Sequence, residues 1–79
     1  MLVKDVVFKV VSEIIEVPVD ELTVETGIGD YAKWDSLGHL NILQTVRDEL
    51  EIEIEPEEFI EIENIEDIIE IAEKKVNKE

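Results

Sequence analysis

Trp34-Asp35-Ser36-Leu37-Gly38-His39-Leu40 is the stretch on which the reading of this 79-residue chain turns. An irregular segment gives way there to a helical pattern, and either Asp35 or Ser36 can accept a hydrogen bond from the unpaired N–H groups of a first helical turn. The helix that starts at one of these two residues runs to about Leu50. Its core stripe is His39, Ile42, Leu43, Val46 and Leu50, at spacings of three, one, three and four. Leu37 is off the stripe. At about 100° per residue it lies nearly opposite, on the side of Asn41, Gln44 and Asp48, so an apolar side chain faces outward at the helix entrance.

Upstream, Val3, Val6, Val7, Val10, Val11, Ile14 and Ile15 recur at alternating spacings of three and one, the i, i+3, i+4 pattern of one helix face, and predict a first amphipathic helix. Pro18 stops it, because its ring restricts the residue before it and it has no N–H to donate. From Val17 to Trp34 the chain holds two of its three glycines and no sustained period, which predicts a long ordered loop. Leu22, Val24, Ile28 and Trp34 are its expected core anchors.

Downstream, Glu51-Ile52-Glu53-Ile54-Glu55 alternates with period two, as a strand would. No second alternating segment exists to pair with it, so a short extended connector is expected. Pro56 fits the first turn of a short helix, about Glu57 to Glu61, offering Phe59, Ile60 and Ile62 to the core. Asn64, with Asp67 three residues on, marks another helix start, and Ile65, Ile68, Ile69, Ala72 and Val76 form its stripe. Lys74, Lys75 and Lys78 lie at its C-terminal end, where the helix dipole favours cations. The expectation is an all-α fold: a small four-helix bundle of three longer helices and one short third helix, forming a single domain over residues 1–79.

Composition narrows the function. A chain this short buries only about 60% of its unfolded surface, too little to wall off a deep catalytic pocket, and no enzyme is expected. There is no cysteine and one histidine, which excludes disulfides, thiolate-bound metals and a cysteine nucleophile. The formal net charge of −15, from 22 acids against 7 bases, opposes binding to nucleic acid or to an anionic membrane. Apolar runs are no longer than Val6-Val7-Phe8, so neither a spanning helix nor a secretory signal is expected, and the chain reads as cytoplasmic. Eleven acids and no base lie between Glu51 and Glu73. Without an Asp-x-Asp-x-Asp-Gly loop they read as a solvated acidic surface and not as a metal site.

Taken with the rest of the chain, Asp35-Ser36-Leu37 resembles the attachment motif of the acyl carrier protein family. The resemblance extends over nearly the whole length: the first helix, Val17-Pro18-Val19-Asp20-Glu21-Leu22 leading into the loop, the motif at the start of the second helix, the Glu-Ile alternation and the Ile-rich last helix. It implies that Ser36 receives a 4′-phosphopantetheine arm from coenzyme A through a phosphopantetheinyl transferase, and that the arm's thiol holds acyl groups as thioesters. Residue chemistry agrees, since a hydroxyl in a first helical turn lies near free N–H groups and the positive end of the helix dipole, a favourable place for a phosphodiester. His39 is not expected to activate Ser36 as a nucleophile, because it lies on the core stripe and reads as a packed histidine.

By the same resemblance, Asp35 belongs to what the transferase recognises. The outward side of the second helix, with Leu37, Asn41, Gln44 and Asp48, would meet acyl-loading and acyl-processing enzymes that carry basic patches. Acids are sparse on that side and Arg47 adds a positive charge, which departs from the family's acidic helix. The motif looks more like those of dedicated systems, such as polyketide or nonribosomal peptide assembly, than of general fatty acid synthesis. The expected function is thus a stand-alone, monomeric acyl carrier. An aminoacyl or peptidyl carrier is one alternative. The other is an unmodified acidic adaptor for a basic partner, in which Ser36 is only a helix cap.

Overall fold

The computed structural model describes residues 2–76. Their order is α1 (Val3–Ile15), a single 3₁₀ turn at Val19–Glu21, α2 (Ser36–Leu50), α3 (Pro56–Glu61) and α4 (Ile65–Val76). The all-α bundle read from the sequence is the fold observed, and no described helix is long and apolar enough to cross a membrane.

Val6, Val7, Val10, Val11 and Ile15 bury the stripe of α1, while Val3 and Ile14 are half-buried at its margins. The helix ends at Ile15, three residues ahead of Pro18. Glu16 takes the left-handed conformation (φ 60°, ψ 47°) and donates its N–H to the Ser12 carbonyl, the Val17 N–H reaches the same oxygen at 3.2 Å, and the Ser12 hydroxyl donates to the Val17 carbonyl at 2.7 Å. The stop is therefore made by a reversed residue at the cap, and Pro18 only prevents resumption.

The first loop is ordered, as expected, but two of its four anchors are not core residues. Leu22 and Trp34 are buried, whereas Val24 and Ile28 are exposed. The reason is that the loop is held there by its main chain. The Val24 and Thr26 carbonyls accept the N–H groups of Glu66 and Ile65, and the Ile28 N–H donates to the Glu63 carbonyl, which stitches the loop to the start of α4. Gly27 and Asn64 form the bridge at the centre of this seam.

In α2 the stripe faces inward as read, with His39, Ile42, Leu43 and Val46 buried and Leu50 half-buried. Glu51 then repeats the left-handed cap, its N–H on the Arg47 carbonyl. Past that cap, residues 52–55 form the expected connector, tucking Ile54 into the core. Pro56 opens α3, and the Glu55 N–H donates to the Glu58 carboxylate at 2.8 Å. Of the three residues expected to be available to the core here, only Ile62, just past the helix, is buried. Phe59 is half-buried and Ile60 is 82% exposed. Neighbouring side chains on a helix diverge by about 100°, so a single short turn cannot turn both inward.

At the start of α4, Asn64 Oδ1 accepts the Asp67 N–H at 2.9 Å and Asp67 returns a bond to the Glu63 N–H at 3.0 Å. Ile65, Ile68 and Ala72 are buried and Ile69 is half-buried, but Val76 is exposed because the helix has run beyond the core by its last turn. Lys74 and Lys75 occupy that turn, and Lys78 lies outside the described residues. The radius of gyration, 11.3 Å, is close to the roughly 11.6 Å of a well-packed chain of this length.

Candidate functional site

The start of α2 is prepared by the end of the loop. The Trp34 N–H bonds the Tyr31 carbonyl and the Trp34 carbonyl accepts the Gly29 N–H, fixing the turn that delivers Asp35. Gly38 presses against the Lys33 carbonyl so closely that no Cβ would fit. Asp35, in extended conformation, is the N-cap. Its carboxylate accepts the Gly38 N–H at 2.9 Å and its carbonyl accepts the His39 N–H at 2.8 Å.

Of the two residues able to cap this helix, Asp35 does so. The Ser36 side chain is exposed and makes no hydrogen bond among the described residues. The adaptor alternative gives Ser36 the role of a helix cap, and that part of it does not hold. The amides of Ser36 and Leu37 are the first two of the helix and have no intrahelical acceptor, so a phosphodiester on the Ser36 oxygen would meet N–H donors and the positive end of a fifteen-residue helix. The residues present fit that group, and attaching it would cost no bond the fold uses.

Ser36 stands at the rim of an apolar groove of about 480 Å³, lined by Ile28, His39, Leu40, Phe59, Ile60, Ile62 and Glu63. The loop, α2 and the α3 segment all contribute. Ile28, Leu40 and Ile60 are among the exposed large apolar side chains of the protein. On the outward face of α2, Leu37 is 66% exposed, and Asn41, Gln44 and Asp48 are exposed in line with it. The structure thus places Ser36 and Leu37 together at the helix entrance, while Asp48 sits three turns away beside Arg47, whose Nε lies 3.3 Å from its carboxylate.

His39 is buried and doubly bonded. Trp34 Nε1 donates to Nδ1 at 2.9 Å, and Nε2 lies 3.2 Å from the Phe59 carbonyl. Both ring nitrogens are occupied away from Ser36, as expected for a packed histidine and not a base. Sequence reasoning missed the groove and this chain of bonds. A signal was present in Phe59-Ile60 on a helix too short to bury both, and in the only tryptophan lying five residues before the only histidine.

Among the described residues no group of three or more His, Asp or Glu is placed to hold a metal. Comparison with curated proteins and with solved structures returned no match. The scan against protein families did: the model described as a phosphopantetheine attachment site matches residues 5–72, from α1 through most of α4. A match over most of the chain means that this protein belongs to the phosphopantetheine attachment-site family, the carrier domains that bear 4′-phosphopantetheine covalently.

Proposed function

We propose that Ser36 is the attachment residue and that the protein is an acyl carrier. The observation that carries this reading is the division of labour at the start of α2, where Asp35 makes the cap and leaves the Ser36 hydroxyl exposed, unbonded and beside an apolar groove. When attached, the arm supplies a thiol that holds cargo as a thioester, which this cysteine-free chain lacks. The chain's own residues do the rest. Free amides at the helix entrance bind and orient the phosphodiester, and Asp35 keeps that entrance in register. Ile28, Leu40, Phe59 and Ile62 exclude water from one side of whatever lies along the groove, and their apolar character favours an acyl over an aminoacyl cargo.

Asp35, Leu37, Asn41, Gln44 and Asp48 form the surface we assign to partners, namely the phosphopantetheinyl transferase and acyl-loading and acyl-processing enzymes. Only two of the five are acids, so this surface suits a dedicated acyl-transfer pathway more than one that reads a continuous acidic helix.

The test is the intact mass before and after incubation with coenzyme A, magnesium and a broad-specificity phosphopantetheinyl transferase. The expected result is a gain of one phosphopantetheine on the wild type and none on Ser36→Ala. A folded wild-type protein that gains nothing with several transferases, or an Ala variant that is still modified, would overturn the assignment.

A further inference from the structure

None of the residues of α3 is buried, and six residues are too few for a helix to persist on its own propensity. Besides the half-buried Phe59, two polar contacts tie it to the bundle. Lys75 of α4 reaches Glu58 at 3.1 Å on one side, and His39 of α2 reaches the Phe59 carbonyl at 3.2 Å on the other. The second contact is directional because Trp34 makes it so. An indole N–H can only donate, so Nδ1 of His39 must accept, the ring proton resides on Nε2, and Nε2 donates to the Phe59 carbonyl. Trp34 is fully buried and its ring stacks on the imidazole with the centroids 6.2 Å apart.

Phe59 is also where two surface depressions meet. It lines, with Leu40, both the groove beside Ser36 and a second groove of about 330 Å³ bounded by Arg47, Ile54 and Pro56. Any shift of Phe59 changes both. We infer that His39 is a positioning residue: locked by Trp34, it pins Phe59 and so α3 against α2, and thereby sets the shape of the groove that shelters cargo carried on Ser36. The inference rests on the assignment of Ser36 given above.

Two variants test it. His39→Gln offers one oxygen to the indole and one N–H to the Phe59 carbonyl, whereas His39→Leu fills similar space with neither. On the unloaded protein, hydrogen exchange of amides 57–62 and the emission of Trp34, the single tryptophan, read the latch directly. On protein loaded with acetyl- or hexanoyl-phosphopantetheine, the half-life of each thioester in neutral hydroxylamine reads the groove.

In His39→Leu, exchange in α3 is expected to quicken by about tenfold or more while α1 and α4 keep their protection. The hexanoyl thioester loses its advantage over the acetyl one, which is too short to use the groove, and His39→Gln restores both effects in large part. Exchange that rises equally in every helix would make His39 a mere core residue and overturn the inference. So would an unchanged hexanoyl-to-acetyl ratio in a protein whose α3 has loosened. Failure of Ser36 to accept any arm would instead defeat the acyl-carrier reading, and the exchange and emission measurements would still decide whether His39 holds α3.

Discussion

The Asp35 carboxylate lies 2.9 Å from the Gly38 backbone nitrogen, and that bond relieves the adjacent Ser36 hydroxyl of any duty in the fold. Cap and candidate attachment point are consecutive residues with separable roles. Asp35→Ala should therefore cost about 1 kcal/mol of stability, the usual loss for an N-cap, while Ser36→Ala should stay within about 0.5 kcal/mol of wild type. Urea melts of the two variants check the contrast. A Ser36→Ala loss as large as that of Asp35→Ala would mean that the serine caps the helix after all.

Glycine is required at two positions by close approach. A Cβ on Gly27 would overlap the Glu63 carbonyl oxygen, and one on Gly38 would overlap that of Lys33. Alanine inside a helix normally gains about 1 kcal/mol over glycine, but at Gly38 the obstacle is backbone and cannot swing aside. Gly38→Ala and Gly27→Ala should each destabilise by about 1–3 kcal/mol, the range of overpacking. Gly27→Ala should also free the loop from α4, visible as faster exchange of the Ile28 and Ile65 amides, which bond across that seam.

Helix periodicity makes most of this fold legible in the sequence. The stripes of α1 and α2 landed inward because spacings of three and four leave one face to bury, and the Glu-Ile alternation was kept from being a strand by the lack of a partner. Three of the misreadings have two separate causes. Val24, Ile28 and Ile60 are apolar but exposed, the first two because main-chain bonds hold their segment, the third because a six-residue helix has one inward face. The site divides the same way. The placement of Ser36 and Leu37 at the helix entrance was readable from local pattern, but the groove joins residues from the loop, α2 and the α3 segment, and the hydrogen bond between two of its lining residues, His39 and Phe59, spans twenty positions that no local pattern encodes.

Two helices end on a glutamate in the left-handed conformation, Glu16 at φ 60° and Glu51 at φ 55°. That backbone costs a side-chain-bearing residue about 1 kcal/mol relative to glycine, and a carboxylate there also opposes the negative end of the helix dipole. Glu51→Gly should therefore stabilise the protein by about 1 kcal/mol. Glu16→Gly should gain less, because Glu16 pairs with Lys33 at 2.7 Å, a contact worth up to about 1 kcal/mol between exposed groups. Chemical melts that rank the two variants in the reverse order would contradict this account.

Glu58 gives the acid limb of the stability curve one identifiable contributor. The Glu55 N–H donates to its carboxylate and holds its pKa below the ordinary 4.5; partial burial pushes the other way, and the Lys75 ammonium adds to the lowering. A carboxyl whose folded pKa is depressed contributes stability that is complete above the unfolded value and is lost as pH falls through the folded one. Glu58→Gln should accordingly be less stable than wild type at pH 7. The gap should close as pH drops below 4.5, when the wild-type carboxyl is itself protonated. Urea midpoints of both proteins from pH 7 to pH 3 test this, and a gap constant across the range would assign the loss to packing.

Leu37 and Leu2 offer a matched pair for the partner surface, being 66% and 67% exposed. Leu37 shares a shallow depression with Asp35, Gly38 and Ile14 beside the attachment point, whereas Leu2 lies at the opposite end of α1, about 18 Å from Ile14 at 1.5 Å per residue. Neither supports the core, so truncating either should change stability by less than about 0.5 kcal/mol. Exposure alone would make the two equivalent to an enzyme that docks on the carrier. If Leu37 is an apolar anchor, Leu37→Ala should raise the transferase KM by roughly five- to thirty-fold, the effect of about 1–2 kcal/mol, with kcat little changed. Leu2→Ala should leave KM as it is. Equal effects from the two variants would show that the transferase gains nothing specific from Leu37 and would shift the partner surface toward Asn41, Gln44 and the exposed Ile60 across the groove.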